Sequence, residues 1–309
     1  MLVNRKVVQV KIESSYGVDA VPVAGTDDVL VEQPAWATEG LRMTDRPSVR
    51  ASIGKLQQIY GGSLRAVTFD VEMKGSGGAA DAPPEFGPLL RACGWGETIN
   101  AAVDVTYDPV STGHESVTIY FFEDGIRHNL LGCVGNFSFS GETGGYGRLS
   151  FRMVGHLVGP TDVAMVTPTY QSNVPPPLLS VPFTIGGYSA KINSLNFDMG
   201  NTIATPPDMG ASDGYSQIRI TQRDINGSYD PESVIVATDD PHGDLKAGNT
   251  LALTTGVVGS GTGGKYQLNM DQVYYRDISP GDRDGVSTLE IPFGASEGTG
   301  DDDAQLIFS

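Results

Sequence analysis

Alternation of period two dominates the chain. Residues 66–74 (AVTFDVEMK) set Val67, Phe69, Val71 and Met73 against Thr68, Asp70 and Glu72, which predicts a strand with one face buried and one wet. The same pattern recurs over residues 136–140, 149–153, 195–199, 217–221, 266–271 and 288–293. Half-buried antiparallel sheet accounts for all of them. Helical signals are few. The best is Pro83-Pro84-Glu85-Phe86-Gly87-Pro88-Leu89-Leu90-Arg91-Ala92-Cys93-Gly94, with prolines at its entrance and glycine at its exit, so a short helix packed on a sheet is expected there. A second is expected over residues 230–236, where Asp230 can cap and Pro231 suits the first helical position. With 40 glycines and 19 prolines marking many tight turns, the class is all-β with minor helix.

These landmarks fall in the same order twice. The first half runs strand, long loop, strand 66–74, helix near 85–93, strand 117–122, then the pair 134–140 and 148–154 around the turn 141–147. The second runs strand 191–199, loop 200–215, strand 216–222, helix near Pro231, strand 250–254, then 266–275 and 286–293 around 279–285. An internal duplication is expected. Between the halves, residues 161–182 contain Pro175-Pro176-Pro177 and little periodicity, which suits a semi-rigid connector. The expected domains are therefore residues 1–160 and 183–309, joined by 161–182; one large β domain with a long surface loop is the alternative.

Composition narrows the function classes. A chain of 309 residues with 39% hydrophobic and 18% charged residues has ample material for a core. No run approaches the ~20 apolar residues needed to span a bilayer, and the first residues lead into alternation rather than an apolar signal core; the product is expected to stay where it is made. Cys93 and Cys133 are too few for a disulfide scaffold or a four-cysteine zinc site and read as buried thiols. A formal charge of −17 argues against a surface that grips nucleic acid, since phosphate binding draws on Lys and Arg.

Charge is unevenly spread. The loop 41–65 carries Arg42, Arg46, Arg50, Lys55 and Arg65 with Asp45 as its only acid, whereas loop 202–215 has Asp208 and Asp213 and no basic residue, and the C-terminal segment holds Asp301-Asp302-Asp303. Complementary patches of this kind suit self-association.

Catalytic readings find little support. Gly210-Ala211-Ser212-Asp213-Gly214 has the spelling of a nucleophile elbow, but a proline-containing loop precedes it and a strand is expected after it, where the device needs a strand and then a helix. His114, His128, His156 and His242 lack metal-ligand spacing. The glycine-rich stretches 141–147 and 259–264 lack the Lys-Ser or Lys-Thr ending of a phosphate loop and read as hairpin turns. The acids of 282–285 and 301–303 lack the ligand spacing of a calcium loop. No catalytic residue, metal or cofactor is expected.

The stretch Glu13-Ser14-Ser15-Tyr16-Gly17-Val18-Asp19, the segment from Glu72-Met73-Lys74-Gly75-Ser76-Gly77 through Ala82-Pro83-Pro84-Glu85-Phe86-Gly87 to Gly94-Trp95, and Ile192-Asn193-Ser194-Leu195-Asn196-Phe197-Asp198-Met199-Gly200-Asn201 together resemble the tail tube proteins of bacteriophages with long non-contractile tails. The resemblance implies a β-sandwich with a flanking helix. Subunits would close into rings by joining sheets around a lumen, and rings would stack through a long hairpin loop. A duplicated chain, with two tandem domains of this type, would form homotrimeric rings with pseudo-sixfold symmetry, where single-domain members form hexamers. The loop residues Arg42, Arg46, Arg50, Lys55, Asp208 and Asp213 would then meet the next ring. Lumen-facing candidates are Asp70, Glu72, Asn136, Ser138, Asn196, Asp198, Asp271 and Glu290. Further partners implied are the tape-measure protein, the tail terminator and distal tail proteins, with viral DNA passing without specific binding, in a virion tail assembled in the host cytoplasm. An acidic wall that keeps DNA from sticking suits that role. A tail terminator, a baseplate ring or a carbohydrate-binding β-sandwich is the alternative reading; isolated Trp36 and Trp95 speak against the last, and no carboxylate pair marks a glycosidase.

Overall fold

The computed structural model describes Leu2 and residues 4–309. The first half contributes β1 (Lys6–Ile12), β2 (Asp28–Val29), β3 (Glu32–Glu39), β4 (Met43–Thr44), β5 (Ile59–Tyr60), β6 (Leu64–Glu72), helix α1 (Gly87–Ala92), β7 (Trp95–Asn100), β8 (Asp104–Pro109), β9 (Val117–Glu123), β10 (Ile126–Glu142) and β11 (Arg148–Asp162). The second contributes β12 (Thr184–Ile185), β13 (Ile192–Asp198), β14 (Thr202–Ala204), β15 (Arg219–Gln222), β16 (Asn226–Pro231), helix α2 (Pro241–Ala247), β17 (Leu251–Thr254), β18 (Tyr266–Tyr275), β19 (Ser279–Arg283), β20 (Val286–Ala295) and β21 (Gln305–Phe308). The protein is nearly all β, with antiparallel pairing throughout.

Local chemistry explains the elements. In β6, Val67, Phe69 and Val71 are buried while Thr68 is exposed, as the alternation requires. Asp124-Gly125 turns β9 into β10 and Asp284-Gly285 turns β19 into β20, each pair with positive φ at both residues; Asp and Gly are the residues that tolerate this conformation. Helix α1 carries a proline in its first turn and ends before Gly94 at φ +84.

An inner sheet runs β3–β6–β11–β10–β13–β16–β20, with β18 and β19 both pairing with β20 at its end. It crosses from one half to the other at β10–β13 without a break. Outside it lie β2–β1–β9–β10 and β12–β17–β18–β21–β8–β7. Between the layers is a core common to both halves, through which Phe69, Phe151, Phe137, Phe197 and Phe139 make successive ring contacts at 5.5–6.0 Å between centroids.

Two strand orders correspond: β3–β6–β11–β10–β9–β1 and β13–β16–β20–β18–β17–β12. Three expectations need correction. The counterpart of β6 is β16, not residues 216–222, and its signature is plain once aligned: Thr68-Phe69-Asp70-Val71-Glu72 against Ser228-Tyr229-Asp230-Pro231-Glu232. Only Arg219–Gln222 of the expected strand forms, in a two-stranded ladder with β14. The second helix is not at 230–236. Pro231 pairs with Ile192, and the Asp230 carboxylate accepts from the Asn193 and Ser194 amides at 2.9 and 2.7 Å. The helix forms instead where Asp240 accepts from Gly243 N at 2.9 Å, Pro241 opens the first turn and Gly248 closes the last at φ +68. Finally, residues 279–283 are strand rather than turn; only Asp284-Gly285 reverses the chain.

The proline-containing connector is tied down along the first half. Thr169 N donates to Asp28 at 2.8 Å, Gln171 N to Glu85 at 3.0 Å and the Asn173 side chain to Gly75 O at 2.8 Å. Val163, Met165 and Val166 pack on Val7, Tyr120 and Phe122.

Candidate assembly surfaces

Because side chains alternate, burying Phe69, Phe151, Phe137 and Phe197 turns the intervening polar residues to the opposite face of the inner sheet. One row across it reads Glu32, Asp70, Ser150, Ser138, Asp198, Asn226, Gly294 and Tyr274, each opposite the next. A neighbouring row reads Glu72, Arg148, Ser140, Asn196 and Ser228. Asn136 pairs with Arg152 on the same face and donates to Asp198 Oδ1 at 2.8 Å. Six of the eight lumen candidates, Asp70, Glu72, Asn136, Ser138, Asn196 and Asp198, thus share one face spanning both halves. Glu290 joins them by alternation with Pro292 and Gly294 on β20. Asp271 does not: a bulge between the Leu253–Met270 and Leu251–Val273 pairs sets it on the segment of β18 next to β17, away from these rows.

Arginines on this face are tied to carboxylates. Arg148 reaches Glu32 at 3.1 Å and Arg152 reaches Glu39 at 2.7 Å. Sequence reasoning missed both, because each is one basic residue in an alternating strand. The face keeps an acidic and hydroxyl-rich character.

The two long connectors, between β3 and β6 and between β13 and β16, behave differently. Tyr215 and Ile218 of the second are buried against Leu64, Ala66, Val134 and Val154 of the first half. A half-buried chain holds it there: Asp213 contacts His156 Nδ1, His156 Nε2 meets the Tyr16 hydroxyl at 2.9 Å, and Ile218 N donates to that hydroxyl at 2.8 Å. Burial pushes the Tyr16 phenol well above its usual range. Arg42 stacks on Tyr215 at 4.0 Å and donates to Gly214 O at 3.1 Å, and Tyr215 OH donates to Gly40 O. Of the loop candidates, Arg42 and Asp213 are therefore engaged within the chain. Arg46, Arg50, Lys55 and Asp208 lie exposed. The first connector, a hairpin started by the β4–β5 ladder, also exposes Val49, Ile53, Ile59 and Tyr60.

Two strands of the inner sheet are paired on one side. β3 pairs with β6 and β19 pairs with β20, so alternate backbone N–H and C=O groups point outward. Proline occurs in each, at Pro34 and Pro280, as edge strands permit.

Other motifs are absorbed by local structure. Ser212 sits exposed in the loop bounded by the Pro207–Tyr215 bridge. Asp301 and Asp303 bind Arg223, and Asp302 accepts from Gly298 and Thr299, which lowers its pKa to about 2. Cys93 and Cys133 are buried and unpaired.

Compared with known proteins, the chain matches the family model described as phage tail tube protein over residues 3–295. A search of curated proteins gave no match.

Proposed function

The chain belongs to the phage tail tube protein family, a structural component of the virion tail, and from that premise we propose how it assembles. Residues 1–160 and 183–309 act as two tail-tube repeats joined by 161–182, and three chains close a ring with pseudo-sixfold symmetry. A single observation carries this reading: the inner sheet runs unbroken through both repeats and ends in a one-sided strand at each extremity. Ring closure through neighbours satisfies those backbone groups without open-ended aggregation.

The polar face lines the lumen, with Asp70, Glu72, Asn136, Ser138, Asn196, Asp198 and Glu290 toward its axis. Its acids repel the phosphate backbone, and the ion-paired Arg148 and Arg152 offer little purchase, so DNA slides without being held. Rings stack through the first connector, whose Arg46, Arg50 and Lys55 meet acids of the next ring. Before DNA enters, the tape-measure protein fills the lumen; the tail terminator and distal tail proteins cap the ends. Negative-stain electron microscopy of the purified chain tests this. Hollow tubes of threefold rings with a six-lobed outline are expected, and a persistent monomer under all conditions would overturn it.

A further inference from the structure

The chain already contains one completed copy of the joint that a ring requires. In β10–β13, Ser138 faces Asp198, Phe139 faces Phe197 and Ser140 faces Asn196. The internal repeat allows the same joint to be located at the open ends. With Thr68-Phe69-Asp70 matched to Ser228-Tyr229-Asp230, Asp70 lies opposite Ser150 and Ser150 opposite Ser138. In the second half, the Tyr229–Ile291 and Glu232–Thr288 pairs set Asp230 beside Glu290, and Glu290 lies opposite Ser279. Ser279 is thus the counterpart of Ser138. On the other flank, Asp198 pairs with Asn226. Asn226 matches Ala66, and Ala66 pairs with Ala37. Ala37 is thus the counterpart of Asp198, and Trp36 that of Phe197.

We infer that β3 of one copy adds antiparallel to β19 of a second copy, with Ala37 opposite Ser279, in the register by which Asp198 faces Ser138 inside each chain. The occupant is a second copy because the β10–β13 ladder is a working example of the same two surfaces joined. β13, covered by β10, buries Leu195 and Phe197, while β3 leaves Trp36 41% exposed. Both strands carry a bulge near their N-terminal ends, between Glu32 and Ala35 and between Ile192 and Leu195. The contact is head-to-tail, so every copy uses both ends and the inner sheet becomes continuous around the lumen.

The inference rests on the ring reading, and disulfide trapping separates the two. Directly opposed antiparallel residues have Cα atoms about 4.5–5.5 Å apart, within the Cα span of a disulfide, and the native thiols Cys93 and Cys133 are buried. Assembled full-length Ala37→Cys/Ser279→Cys protein, mildly oxidised, should run on non-reducing denaturing gels as a covalent species ending at the ring size. Ala37→Cys and Ser279→Cys chains should each stay monomeric alone and give dimers when co-assembled. The phase-shifted pair Ala37→Cys/Asp282→Cys should stay largely uncoupled. Tubes that form but yield only monomers would overturn this joint and leave the ring reading standing. Coupling in the phase-shifted pair alone would overturn the register. Absence of any ring or tube would remove the ring reading, and this joint with it.

Discussion

Phe197 and Trp36 occupy matching positions in β13 and β3, yet Phe197 is 2% exposed and Trp36 41%. The strands differ less in their own residues than in their neighbours: β10 closes one edge, and among the described residues no strand closes the other. The connectors repeat the contrast. Ile218 is buried against the first half, whereas Ile59 of the first connector is 55% exposed. The β10–β13 ladder is the covered case against which the edges of β3 and β19 are compared.

Substitution can sharpen that contrast. The largest effect is expected for Phe197→Ala, which removes a ring stacked on Phe139 and should cost about 3–5 kcal/mol in denaturant unfolding. Trp36→Ala should change the isolated chain by about 1 kcal/mol or less but strongly reduce tube yield. Equal stability losses would erase the distinction between covered and open edges. Next, Ile218→Ala should cost about 2–4 kcal/mol and Ile59→Ala within about 0.5 kcal/mol, measured the same way; a large loss at Ile59 would mean the first connector is packed in the free chain.

A pH effect comes third. His128 lies beside Trp36, at 5.3 Å between ring centroids, and burial, then Arg65, holds its pKa below the usual value. Stability from the neutral ring is complete above the unfolded pKa of about 6.5 and is lost as pH falls through it toward the folded value. Urea midpoints should therefore decline on acidification from about pH 7 to about pH 5, less steeply in His128→Gln. Parallel declines would remove His128 as a contributor. The smallest stability effect is expected for joint replacement of Arg46, Arg50 and Lys55 by serine, within about 0.5 kcal/mol, while tube growth slows and loses salt sensitivity. Unchanged growth kinetics would rule these charges out of ring stacking.

Much of this was legible from residues alone. The first helix, the main strands of each half and seven of the eight polar face positions follow from alternation and from glycine and proline punctuation. The misses share one cause. Asp230-Pro231 and Asp240-Pro241 both spell a helix start, and only the second is free of a strand partner. Residues 216–222 alternate well enough for a strand, but β16 holds the place beside β13. Asp271 has the period of its neighbours until a bulge shifts it.

By itself the sequence determined which faces are apolar and which residues can turn the chain, because those properties belong to single elements and their side chains. Tertiary structure alone decided that β13 seals onto β10, that the second connector folds over the first half, and that β3 and β19 are left open. Strand edges pair through backbone groups that every residue carries, so no local pattern of side chains says which edge meets which.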